Sequence, residues 1–245
     1  MPDGLFSGGD VIRRVDGEAL LLLGGGRALL MQLAHPAVAA AVDEHSDFRN
    51  DAFGRLRRTL EVTTAIVFGT AAEARQAAEG VAAVHRRVRG DGYEADDPDL
   101  LLWVHATLVD TALRIHRRFL RPLSAAEVDR YYAQSMVLAE VLGVPLDRQP
   151  PDVPAFAAYV RGMVGTLEVS DQARTVAGAV LHQRVPLVVQ PLAELARQIT
   201  VGLLPPPLRR QYGFSWDPAR EMALQAAGLA ARTVLPRVPR LRLSR

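Results

Sequence analysis

The chain has 245 residues, 49% of them apolar, and no Cys, so it can bury a sizeable core but cannot build disulfides, zinc fingers, iron–sulfur clusters, a thiol nucleophile or covalent haem c. All 29 basic residues are Arg and the net charge is only +2, which removes Lys-dependent Schiff-base and P-loop chemistry. Arg titrates only above roughly pH 12, so this small excess suffices for a pI near 9.4, without the clustered surplus that a nucleic-acid binder shows.

Met1–Asp16 carries Gly and Asp where a secretion signal needs a basic start and an apolar run, and a cytoplasmic location is expected. Ala19–Val42 is the most apolar stretch, but Arg27, Gln32, His35 and three glycines interrupt it. It reads as a buried helix rather than a membrane span, which needs about 18–20 uninterrupted apolar residues. Gly24–Gly26 open a helix over Arg27–Asp43; they lack the third glycine and the βαβ context of a dinucleotide fingerprint. A second helix runs over Ala52–Phe68. Thr70 with Glu73 forms a capping box for a third, ending near Gly90. Asp97 and Pro98 start a fourth over Asp99–Leu120, and Ser124 with Glu127 start a fifth that stops at Gly143. Val144–Val153 is a proline-rich loop. Further helices are expected over Pro154–Gly165, Asp171–Gln183, Pro186–Leu204 and Pro218–Ala231, with a break at Pro205–Pro207. No strand alternation or fixed repeat is visible. The expectation is one all-α domain over residues 1–245, with about eight to ten helices and with residues 1–16 and 232–245 as peripheral tails.

No G-x-S-x-G, H-E-x-x-H, Walker A or paired E-x-x-H motif occurs, which leaves a His-ligated cofactor as the chemistry to look for among six His. Three lie on apolar helix stripes: His85 with Val81, Val84 and Val88; His105 with Leu101, Leu108 and Ala112; His35 with Met31, Val38 and Val42. Each reads either as a hydrogen-bonded core residue or as the neutral imidazole that haem iron accepts. Arg55, Arg58 and Thr59 head a stripe continued by Val62 and Ile66. Two guanidinium groups there need anionic partners, either internal carboxylates or the propionates of a haem, unless they belong to a solvated helix end.

Several runs together resemble the family of MpaB-type oxygenases and latex-clearing (rubber) oxygenases. They are Gly26–Ala39 (GRALLMQLAHPAVA), His45–Phe48 (HSDF), Gly54–Thr59 (GRLRRT), His85–Gly90 (HRRVRG), Asp97–Asp110 (DPDLLLWVHATLVD) and Tyr212–Trp216 (YGFSW). That family is all-helical, and its rubber-cleaving members carry haem b and use dioxygen to cleave carbon–carbon double bonds. The resemblance implies haem b (iron protoporphyrin IX) as cofactor, His85 as the axial metal ligand, and Arg55, Arg58 and Thr59 on the distal or propionate side, with Arg58 and Thr59 catalytic. His105 is then a cofactor-binding residue acting from behind the pocket, paired to Asp110 or another carboxylate.

Two departures stand out. Arg58 replaces the Lys of latex-clearing proteins, and Gly90 replaces a second His. No Glu aligns as a catalytic base; Asp43, Glu44 and His45 are only nearby. The implied function is haem-dependent oxygenation of a small or medium apolar, isoprenoid-like substrate, lined by residues such as Val62, Ile66 and Leu108, with no nucleic-acid partner. The other readings are a non-catalytic haem protein (sensor, carrier or peroxide sink) and a cofactor-free helical module.

Overall fold

Asp97 and Pro98 open the helix around which the others assemble. The Asp97 carboxylate accepts the Asp99 amide at 2.8 Å and Pro98 takes the first helical position, so the chain enters α6 (Pro98–Phe119) without orphaned donors. Twelve of its 22 residues are buried, too many for a one-faced surface helix, and it packs against α2, α7, α8 and α12. The computed structural model describes residues 4–45, 48–182 and 185–234, the side chains of 48–53, 55 and 56 excepted.

Among the described residues there are twelve α-helices. Before α6 come α1 (Val11–Asp16), α2 (Gly25–Leu33), α3 (Pro36–His45), α4 (Phe48–Phe68) and α5 (Ala71–His85). After it come α7 (Ala125–Val141), α8 (Val153–Thr166), α9 (Asp171–Leu181), α10 (Gln190–Leu203), α11 (Pro206–Gln211) and α12 (Pro218–Val234). The only described strands are β1 (Arg89–Gly90) and β2 (Tyr93–Glu94), a two-residue antiparallel ladder. No helix among the described residues is long and apolar enough to cross a membrane.

The all-α class is as expected, but the helix count is higher for local reasons. Pro36 divides the expected Arg27–Asp43 helix, because a residue before proline is disfavoured in the α region. The Leu30 and Met31 carbonyls at the end of α2 then receive the Tyr212 hydroxyl (2.7 Å) and the Trp103 indole N–H (3.1 Å). Trp103 and Tyr212, from separate family-like motifs, thus satisfy the carbonyls of one helix end. The expected third helix stops at His85 rather than Gly90, because residues 88–95 close into a hairpin through Ala95 N–H to Val88 O at 3.0 Å. Pro205–Pro207 do break the chain, yet Pro206 also starts α11. The N-terminal segment is not peripheral throughout: Ile12 and Val15 of α1 are completely buried, and Ile12 N–H donates to Gln134 of α7 at 2.9 Å.

Arg27 of α2 is completely buried. Its guanidinium donates to Asp110 and Thr111 of α6, each at 2.5 Å, and to the Leu203 carbonyl ending α10 at 2.8 Å. Asp110 also receives Arg114 at 2.9 Å. Burial pushes the Arg27 pKa down to about 10 against the pull of Asp110, so the cation persists at neutral pH. Two small neighbours make room for it. A Cβ on Gly24 would sit 2.4 Å from the Thr111 methyl, and one on Gly26 2.3 Å from the Thr200 hydroxyl.

Arg27→Ala leaves Asp110 with Arg114 alone, takes the donor from Thr111 and the Leu203 carbonyl and opens a cavity, and should cost about 3–5 kcal/mol, a large share of a typical domain stability of roughly 5–15 kcal/mol. Urea unfolding followed by circular dichroism measures it. The double variant Arg27→Met with Asp110→Leu should recover most of the loss, since both charges are then gone.

Candidate functional site

The sequence-derived candidates sit on the antiparallel pair α4–α5, which pack along each other. Thr70 caps α5: its hydroxyl accepts the Glu73 amide at 3.2 Å and its own amide donates to Glu73 at 2.8 Å. The turn at Gly69–Thr70 sets the register. Gly54 lies fifteen residues before Gly69 and His85 fifteen after Thr70. With about 1.5 Å of rise per residue, both reach the same level, far from the turn. His85 is therefore level with the Gly54–Arg55 step.

The faces differ from the periodicity expectation. His85 is half-buried at the last position of α5, Val84 is 58% exposed, and Ala74 is the one buried residue of that helix. α5 packs chiefly on α4, and small alanines need no deeper cover. Arg58 and Thr59 are exposed on α4, Val62 is partly buried and Ile66 is completely buried. The stripe thus runs from solvent at its N-terminal end to core at its C-terminal end. Arg55 falls on α4, its side chain outside the described residues. Leu108 points outward from α6 at 37% exposure and lines no interior space.

His105 is buried on α6, beside the Ser135 backbone of α7. The pairing with Asp110 does not form, because Asp110 is engaged by Arg27 and Arg114. Its Nε2 has no protein partner, and burial pushes its pKa down to about 4. His35 sits half-buried at the α2–α3 elbow with Nδ1 unpartnered; burial lowers its pKa against the field of Asp97. Periodicity does not single out His116, buried near the end of α6, whose pKa burial also lowers. His45 Nε2–H donates to the Arg89 carbonyl at 3.1 Å.

Helix α9 packs on both α3 and α4, and the β1–β2 hairpin packs on α3. Val38 and Val42 of α3, Val62 and Ile66 of α4 and Val176 and Ala177 of α9 belong to one apolar cluster. A surface depression between Phe6, Arg13, Phe68 and Glu73 lies at the turn end of the α4–α5 pair, away from His85. Its cation is already placed, stacked 5.2 Å over Phe68 and bonded to the Phe6 carbonyl at 3.0 Å.

Among the described residues no three His, Asp or Glu side chains converge to hold a bare metal ion. A porphyrin supplies four nitrogens itself and asks the protein for one axial imidazole, cations for its propionates and apolar walls. Those types occur together here: His85, the Arg55 and Arg58 positions, and the cluster of α3, α4 and α9. The donor set fits a haem.

The class that fold and site define is a single all-helical domain with a histidine at the end of an Arg-bearing helix pair. Residues 12–233 match the family model described as ER-bound oxygenase mpaB/B'/Rubber oxygenase, catalytic domain, and the chain belongs to that family. It is similar to uncharacterized proteins of Mycobacterium bovis and Mycobacterium tuberculosis, each 28% identical over 207 residues, covering 79% of this chain and 80% of the relative. No solved structure matches the chain.

The lowered histidine pKa values set an acid limit. A histidine held below its unfolded pKa stabilises the fold at high pH, and the contribution is lost as pH falls toward the folded value. For His105 the window runs from 6.5 to about 4, worth about 3 kcal/mol at its acid end. Asp16, pushed up to about 7 by burial, acts with the opposite sign across the whole of that range. The difference between wild type and His105→Gln therefore isolates the imidazole. Urea midpoints measured from pH 7 to pH 4 should fall more steeply for wild type than for the variant.

Proposed function

We propose that this chain is a haem b-dependent oxygenase that uses dioxygen on a small or medium apolar substrate. Membership of an oxygenase catalytic-domain family supports the reaction class. The site reading is supported by the lengths of α4 and α5: fifteen-residue arms on either side of the Gly69–Thr70 turn bring the half-buried His85 to about the level of Gly54–Arg55.

When bound, haem b supplies the dioxygen chemistry. His85 would hold the iron, its imidazole neutral at working pH. Arg55 and Arg58 would receive the propionates, for which a guanidinium offers paired N–H donors on one face. Thr59, one residue beyond Arg58, would place a hydroxyl donor on the oxygen-binding side, where Arg58 can also donate. Val62, further along α4, carries the apolar character that a hydrocarbon substrate requires, while Ile66, about 18 Å along the helix from the Gly54 level, belongs to the core. His105 would act at a distance, packed beside the Ser135 backbone of α7 behind the apolar wall.

Reconstitution with haemin tests the reading directly. Wild type should develop a Soret band at one equivalent, and His85→Ala should weaken or shift it. Arg58→Gln should bind haemin about tenfold more weakly, as expected for loss of one charge-assisted contact. Oxygen uptake with an apolar alkene should appear in the reconstituted wild type and vanish in His85→Ala. Haemin binding without any oxygen uptake would favour a carrier or sensor, and a spectrum indifferent to His85→Ala would remove the ligand assignment.

A further inference from the structure

His85 is the last residue of α5, where a helix ordinarily frays because its final carbonyls lack partners. Here the chain turns at once into the β1–β2 hairpin. Arg89 pairs with Glu94 and Gly90 with Tyr93 across the ladder, and Gly92 supplies the left-handed φ of 75° in the turn. A ladder of two residues per strand is too short to be stable alone, so its order must come from attachments.

Those attachments run to the end of α3. The Tyr93 hydroxyl donates to the Glu44 carboxylate at 2.7 Å, and Tyr93 is only 6% exposed. The His45 ring meets Tyr93 edge-on at 6.3 Å between centroids, and its Nε2 lies 3.1 Å from the Arg89 carbonyl. Gly90 makes the seat: a Cβ there would lie 2.4–2.5 Å from ring atoms and the hydroxyl of Tyr93. From the hairpin the connection continues to α5, because Arg89 Nε donates to the Arg86 carbonyl at 3.1 Å, one residue after His85. The exposed pairs of Arg89 with Glu94 and Asp96 add little in water. The buried ring and its hydroxyl are the firm part. Burial and the adjacent Glu44 push the Tyr93 pKa up to about 12, which keeps the phenol a donor.

We propose that the β1–β2 hairpin is a latch closed on α3 by Tyr93, Glu44 and His45, and that Tyr93 and Glu44 are positioning residues that hold His85 in place for an axial bond. The latch rests on the haem reading for its purpose, though not for its existence. With it closed, the last turn of α5 has one orientation and the imidazole loses little freedom on ligation. With it open, the same histidine must be ordered at the moment of binding.

The test uses the full chain and four variants: Tyr93→Phe, Glu44→Ala, Glu44→Gln and Gly90→Ala. Amide hydrogen exchange of Arg86–Gly90 is measured without haemin. Haemin loss to excess apomyoglobin is measured after reconstitution. Tyr93→Phe, Glu44→Ala and Gly90→Ala should each exchange faster at Arg86–Gly90 and lose haemin about tenfold faster, at an unchanged global unfolding midpoint. Glu44→Gln retains an acceptor and should stay near wild type in both. Wild-type exchange in Tyr93→Phe and Glu44→Ala would overturn the latch whether or not haemin binds. Faster exchange with unaltered haemin loss would overturn the positioning role. Failure of wild type to bind haemin would sink the proposed function and the positioning role together, while the exchange data would still decide whether the latch exists.

Discussion

A guanidinium with no exposed surface holds three helices at fixed spacing, and the rest of the bundle is arranged around it. Arg27 reaches α6 through Asp110 and Thr111 and the end of α10 through the Leu203 carbonyl. A buried cation is tolerated only when its hydrogen bonds are met, so α2, α6 and α10 cannot slide independently. The bond to Leu203 also places positive charge at the C-terminal, partially negative end of α10. Gly24 and Gly26 allow the approach, since a methyl group at either would collide with Thr111 or Thr200. With α2 fixed in this way, the Pro36 elbow directs α3, and α3 in turn receives the hairpin that comes after His85.

Much of the fold is legible in the sequence because many determinants are local. The starts of α5, α6 and α7 agree with Thr70, Asp97 with Pro98, and Ser124, since a cap is made within three residues of sequence. Sequence and structure part where a distant partner or a short element decides. The Arg27–Asp43 pattern is helical in period, and only the steric rule for the residue before Pro36 divides it. α1 has six residues, too few for a periodic signal, and depends on Gln134 for the amide of Ile12. Arg27 gives no sign of burial in the sequence because Asp110 is 83 residues away.

The site is legible in a different manner. Periodicity marks His35, His85 and His105 alike, and resemblance alone selects His85. The structure separates them by surroundings: His105 is buried between α6 and α7, His35 sits at an elbow, and His85 ends a helix paired to α4. Val84 and Leu108 show why a stripe misleads. Both keep the period of an apolar stripe, yet both face solvent, because α5 packs chiefly on α4 and α6 turns other residues inward. Gly90 itself has a steric basis, because a Cβ there would collide with the Tyr93 ring.

The C-terminal end of α2 has a consequence for the order of assembly. Its Leu30 and Met31 carbonyls take donors from Tyr212 and Trp103, which are 182 and 72 residues away in sequence. Contacts of such separation form late, after the closure entropy of long loops has been overcome. Before Tyr212 is made, the Leu30 carbonyl has only its local partner, the Ala34 N–H. A truncation that removes α11 and α12 would leave the early helices intact in propensity while unfixing the angle between α2 and α3, on which the hairpin beside His85 depends.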